Sequence, residues 1–317
     1  NQPRWLAFLN AEHDLVDEIP YDMANLIVPN GKLAPNLVKR GIKMDRDYRA
    51  SVDMALFNME HPLVGGYKPD KVALRRAIGL AYDMPNEIRL VRKGQSIPSQ
   101  SPVSPLTYGY DPNFKSEMGE YNPAQAKALL DAFGYVDRDG DGWRDLPDGT
   151  PMTLEMATEP DQLARQRDEI WRKSMTAVNI RIVFKPAKWP ENLKNARAGK
   201  LMVWNLGYSA ASPDGQPSLD RGATIHFGGQ NLARYSSKRF DEIYEQIRVL
   251  PDGPERAELF RETKRMLAVD APYRWGVHRI LTDLAWPWLI GFRRQLYSNT
   301  FWQYVDIDTE LQSKLIA

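Results

Sequence analysis

Apolar residues fall along this chain in short runs and periodic stripes that alternate between two kinds of element. Met54 to Met59 (MALFNM) is a continuous apolar run closed by His61 and Pro62, the pattern of a buried strand leading into an extended segment. From Val72 to Tyr82, Leu74, Ile78, Ala81 and Tyr82 recur at i, i+4, i+7 and i+8, which predicts a helix with Asp70 as its cap. Asn122-Pro123 opens a second helix and Gly134 stops it, with Leu129, Leu130 and Phe133 as its stripe. Met152 to Met156 then reads as a strand, Asp161 to Met175 as a helix, and Ile180, Ile182 and Phe184 as an alternating strand, which makes a β-α-β unit. Pro190 opens a short helix to Ala198, and Leu201 to Leu206 (LMVWNL) is another buried strand. Phe240, Ile243, Tyr244 and Ile247 mark one helix, Pro254 to Ala268 another, and Pro272 ends the helical run before Tyr273, Trp275 and Val277 alternate as a strand. Strands and helices keep alternating, so the fold class is α/β.

The remaining segments are less regular. Trp5 to Lys43 mixes short apolar runs with Pro20, Pro29, Pro35 and Gly31, which reads as short elements joined by turns. Lys93 to Phe114 is rich in proline, serine and glycine, and is either an ordered wrapping segment or a mobile linker; Tyr108 and Tyr110 favour wrapping. The last forty residues, rich in Trp, Phe and Tyr, predict strands and a short terminal helix that return to pack on the opening segment. The chain has no internal repeat and no low-complexity tract.

Composition narrows the classes. A chain of 317 residues allows two domains or one large one, and 43% hydrophobic with 26% charged residues is an ordinary globular balance. Forty-two basic residues nearly cancel forty-one acidic ones, so nothing in the charge points to nucleic acid or to an anionic membrane. No run approaches the roughly 18–20 apolar residues of a membrane-spanning helix. The absence of cysteine excludes disulfides, thiol catalysis and thiolate metal sites, and fits an oxidising compartment. No basic-then-apolar leader precedes Asn1, so a signal peptide is expected to have been removed or never to have been there.

Three stretches carry a family resemblance: Phe57-Asn58 followed by Val72-Ala73-Leu74-Arg75-Arg76-Ala77-Ile78-Gly79-Leu80-Ala81-Tyr82-Asp83; Tyr121-Asn122-Pro123-Ala124-Gln125-Ala126-Lys127-Ala128-Leu129-Leu130; and Tyr235-Ser236-Ser237-Lys238-Arg239-Phe240-Asp241-Glu242-Ile243. In content and order they resemble the extracellular solute-binding proteins of family 5, the oligopeptide-, dipeptide- and nickel-binding type. The resemblance implies a periplasmic-binding-protein-like type II lobe, a mixed sheet flanked by helices, in a fragment of a longer two-lobed protein. It implies that residues 1–62 end the first lobe, 63–278 form the second, and 279–317 return to the first. It further implies a non-enzymatic, extracytoplasmic or periplasmic protein that captures a peptide or other small solute and delivers it to the permease subunits of an ABC importer.

For ligand contacts, the resemblance points to Trp189 and to the turn Gly207-Tyr208-Ser209. A Trp face offers tolerant apolar contact, and a glycine lets backbone approach a ligand closely; the alternative is that Trp189 packs in a core. Where peptide-binding members place an aspartate for the ligand's ammonium, this chain has Ala211. Asp214, three residues later, either substitutes for that acid or forms a turn in Ser212-Pro213-Asp214-Gly215.

The residues themselves supply one metal motif. Asp137, Asp139, Asp141, Asp145 and Asp148 stand at positions 1, 3, 5, 9 and 12 of a calcium loop, with Gly142 at 6 and the Trp143 carbonyl at 7. Asp148 replaces the usual glutamate and the flanks are not a helix pair, so a calcium ion and a plain turn closed by Asx hydrogen bonds both fit. No other cofactor is expected. His13, His61, His226 and His278 lie too far apart in sequence to form a metal motif, and His226-Phe227-Gly228-Gly229 has no accompanying G-x-S-x-G elbow. Beside the transport receptor, a sensory or chaperone-like binding module and a calcium-containing hydrolase are carried as alternatives.

Overall fold

The structure, a computed structural model, describes residues 2–116, 119–298 and 300–316. Its largest unit is a five-stranded sheet in the order β6-β5-β7-β3-β8, built from β3 (Ser51–Phe57), β5 (Thr153–Thr158), β6 (Arg181–Pro186), β7 (Val203–Ser209) and β8 (Tyr273–Trp275). β5 runs parallel to β6 and β7, while β3 is antiparallel to β7 and β8. Alternate side chains of β3 explain its unbroken apolar sequence. Ala55 and Phe57 enter a core with Leu74 and Ile78 from the Pro69–Ala81 helix, Leu130 from Pro123–Ala132 and Trp171 from Gln162–Ala177. Val52, Met54 and Leu56 enter a second core with Phe240, Ile243, Phe260 and Leu267 of the Lys238–Val249 and Pro254–Asp270 helices. Both faces of the sheet are therefore covered, the arrangement that makes such strands apolar throughout.

A smaller sheet forms around the nine-residue β9 (Val277–Ala285), which pairs with β1 (Leu15–Val16), β2 (Lys43–Tyr48) and β4 (Ser96–Pro98). Its core joins Trp5 and Phe8 of the Gln2–Leu9 helix to Trp286 and Trp288, whose rings stack at 4.6 Å. The expected return of the C-terminal residues onto the opening segment is thus present, together with a β10–β11 pair (Leu289–Ile290 with Asp306–Ile307) and a terminal helix, Thr309–Ile316. Two of the passages between the sheets are short, β2 to β3 at Arg49-Ala50 and β8 to β9 at Gly276, while longer ones lead to β4 and back to β5. At the second crossing the Gly276 N–H donates to the Asp53 carbonyl, and a Cβ there would meet that oxygen at 2.4 Å.

Two local expectations change, and one open alternative is resolved toward wrapping. The helix expected with Asp70 as cap begins at Pro69 after Lys68, and Asp70 sits in its first turn. Tyr273, Trp275 and Val277 do not alternate within one strand; Gly276 divides them between two sheets and all three are buried. The 93–114 segment is ordered: Tyr108 packs edge-on against Phe260 and Tyr110 against His278. Elsewhere the capping chemistry is as read, with Asn122 accepting from the Gln125 N–H and Asp161 from the Ala164 N–H.

Candidate functional site

Between the two sheets lies a cavity of about 610 Å³. The small-sheet side supplies Asp17, Glu18 and Tyr21 beside β1, with Arg279 and Leu281 from β9. The large-sheet side supplies Asp53 from β3, Arg92, and Gln162 and Gln166 from the start of the Gln162–Ala177 helix. Charged groups of both signs face each other here. The Arg92 guanidinium meets Asp53 at 2.8 Å and Glu87 at 2.9 Å, and Arg279 lies 3.5 Å from Asp53. Burial would push the Asp53 carboxyl up, but Arg92 and Arg279 outweigh it and hold the group below the usual carboxylate range. Nearer the rim, Glu18 pairs with Arg49 at 2.8 Å and Asp17 with Arg4 at 3.3 Å.

None of the residues expected to touch ligand lines this cavity. Gly207, Tyr208 and Ser209 end β7 and lie opposite Asp53, Val52 and Ser51 of β3. Tyr208 is covered by the Arg221 guanidinium, 3.7 Å above its ring. Ser209 and Ala211 help line a separate 210 Å³ pocket with Arg49, Arg294 and Tyr297. Trp189 begins the Trp189–Arg197 helix, 54% exposed, with its ring 6.5 Å from that of Trp204. Asp214 accepts from the Gln216 N–H and pairs with Arg256 at 2.8 Å, as its turn reading implies, and does not line the cavity.

In the acidic loop, ligand atoms of Asp137, Asp139 and Asp145 lie within 4.8 Å of one another. Asp141 turns instead to Arg181 at 2.6 Å, and Asp148 accepts from the Thr150 N–H. Backbone N–H groups also reach the converging carboxylates: Gly140 and Gly142 donate to Asp137, Asp141 to Asp139, and Arg138 to Asp145. Three of the four histidines are engaged separately: His226 bonds the Tyr244 hydroxyl at 2.8 Å, His61 accepts from the Leu63 N–H, and His278 donates to the Ser51 carbonyl.

The sequence reading missed the charged floor, Asp53, Arg92 and Arg279. Its signal was present: Asp53 interrupts an otherwise apolar strand, and a charge in such a run requires a buried partner.

A mixed sheet clad by helices, joined by short crossings to a second sheet across a cavity, is a periplasmic-binding-protein-like α/β fold. The family model described as bacterial extracellular solute-binding proteins, family 5 Middle, matches residues 1–224, and the chain belongs to that family. It is 26% identical over 243 residues to di/tripeptide-binding protein 2 of Pseudomonas aeruginosa, covering 75% of this chain and 43% of that protein. It is 25% identical over 214 residues to heme-binding protein A of Haemophilus influenzae, covering 67% of this chain and 37% of that protein. The chain thus spans less than half the length of these relatives. Among solved structures, the oligopeptide-binding protein AppA of Bacillus subtilis with a nonapeptide superposes with a TM-score of 0.79 at 16% identity, over 96% of this chain and 58% of that one. NikA of Brucella suis with Fe(III)-EDTA gives 0.78 at 18% identity, over 97% and 60%.

Proposed function

We propose that this chain forms part of the solute receptor of an ABC importer and holds a peptide or other small solute in the cavity between its two sheets. The observation that carries the reading is the cavity's position: both sheets wall it, and its lining residues Asp53 and Arg279 each follow within a few positions of a short crossing, at Arg49-Ala50 and Gly276. Such crossings act as hinges, so a solute touching both walls stabilises the closed form, which a permease can then recognise. On this reading the lobe boundaries fall at the two short crossings, near residues 49–50 and 276, in place of the expected 62 and 278, with β4 reaching from the second lobe onto β9. Receptor and permease meet on the extracytoplasmic side of the membrane.

The ligand class follows from the cavity's charges. Ala211 offers no acid and Asp214 lies outside the cavity, so an ammonium held in the cavity is met by the small-sheet acids Asp17 and Glu18, in exchange with Arg4 and Arg49. Relatives named for di- and tripeptides and for heme frame the solutes to screen. The test is thermal stabilisation of the full-length protein across di- and tripeptides, metal chelates and heme, with product analysis in parallel. Saturable stabilisation without turnover supports a receptor; turnover of any ester, peptide or glycoside would replace it with the hydrolase reading. A sensory module would bind solute equally well, and is distinguished by its failure to stimulate ATP hydrolysis by the reconstituted transporter.

A further inference from the structure

Behind the Asp53–Arg92 floor, the structure buries more positive charge than acid to meet it. Arg92, Arg167 and Arg274 gather around Asp53 and Glu87 at one small cavity, and Arg279 flanks Asp53. The carboxylates are already engaged. Asp53 is held by Arg92 and Arg279, while Glu87 is held by Arg92 and by the Tyr82 hydroxyl at 2.8 Å. Arg274 is only 5% exposed, and its guanidinium carbon lies 3.8 Å from the centre of the Tyr82 ring. Its Nε is buried without a hydrogen-bond partner, and so are those of Arg167 and Arg279.

Arg279 faces the large open cavity, so the three guanidiniums that line the small one, against two acids, leave one positive charge unmatched there. Ring faces soften a buried cation but do not neutralise it. The cavity among these residues, with Asn205 and Gly276 in its wall, has space for the centre of one water-sized occupant, about 10 Å³. Water fits that space but brings no charge. We propose that it is a site for a single halide-sized monoanion, chloride in the natural setting, held by Arg167 and Arg274. Because the small cavity shares Asp53 and Arg92 with the large one, the anion steadies the wall against which solute binds. The inference does not depend on which solute that is.

The test is diffraction at the bromine edge from crystals of the full-length protein grown with sodium bromide. An anomalous peak within about 3.5 Å of the Arg167 and Arg274 guanidiniums is expected. In solution, sodium chloride and bromide should raise the melting temperature saturably, by about 3 °C or more over sodium gluconate at equal ionic strength, because gluconate is too large for the site. Arg274→Leu should abolish that difference. Arg167→Gln, at a half-buried position, should weaken the halide midpoint about tenfold and serves if Arg274→Leu does not fold. A water without anomalous signal, or equal melting in chloride and gluconate, overturns the proposal. A bromide peak without any melting difference marks an adventitious ion only and also overturns it. Displacement of bromide by a carboxylate-bearing solute would assign the anion to the solute and sink the chloride assignment.

Discussion

Gly207 and Asp53 face each other across β7 and β3, and a Cβ on residue 207 would lie 2.8 Å from Asp53 Oδ1. The space that glycine leaves is taken by the carboxylate that Arg92 and Arg279 hold. Gly207→Ala must therefore push Asp53 off its partners. The expected cost is about 1–3 kcal/mol in chemical denaturation. In a double-mutant cycle with Asp53→Asn the two effects should be strongly non-additive; additivity would mean that the glycine serves something other than this ion pair.

His278 lies just past the second crossing, where Nδ1–H donates to the Ser51 carbonyl at 2.8 Å and the ring meets Tyr110 edge-on. Burial pushes its pKa down from 6.5 to about 4. The unfolded chain therefore takes up a proton at a pH where the folded chain does not. The contribution of neutral His278 is complete above pH 6.5, falls as pH drops toward 4, and is exhausted below that. The span corresponds to about 3 kcal/mol. Denaturation of the wild type and of His278→Gln between pH 4 and 7 checks this: the difference between them should shrink as pH falls. A constant difference would show that the histidine does not titrate in that window.

The parts of this fold legible in sequence are those where local chemistry and tertiary packing agree. Asn122-Pro123 and Asp161 cap helices because their side chains satisfy free N–H groups wherever the helix packs. The β3 run was readable as buried because both its faces are covered. The division at Gly276 was hidden, since an extended segment that changes sheets has the same periodicity as one that does not. The site was hidden for a related reason. Asp53, Arg92 and Arg279 are far apart in the chain, and only the antiparallel return through β8 and β9 joins them. Asp214 illustrates the converse: its turn chemistry was legible, its partner Arg256 was not, because that pair spans forty-two positions.

Trp189 stands at the first position of its helix with more than half its surface exposed and its ring 6.5 Å from that of Trp204. An aromatic in that position contributes little to the core. Trp189→Ala in the full-length protein is expected to move the melting temperature by less than about 2 °C, and to weaken affinity about tenfold for a solute that reaches from the cavity to its exposed ring. Calorimetric titration with the solute identified by screening reads both sides of the claim. Unchanged affinity would remove Trp189 from the site.

The loop from Asp137 to Asp148 closes on its own donors. Gly140 and Gly142 take positive φ of 79° and 88°, which directs their N–H groups at Asp137 at 2.7 and 2.9 Å. Asp141 is held by the Trp143 N–H and by Arg181, whose guanidinium also lies 5.7 Å from the Trp143 ring centre. These contacts draw Asp141 away from Asp137, Asp139 and Asp145, and Asp148 is drawn toward Thr150. Of five carboxylates at calcium-loop positions, three converge, too few to fill a coordination shell of six to eight oxygens without water. Dialysis against EDTA is therefore expected to leave the melting temperature within about 1 °C of its starting value. A drop of several degrees that calcium restores and magnesium does not would assign the loop to a resident ion, and Asp139→Asn would then reproduce the drop without chelator.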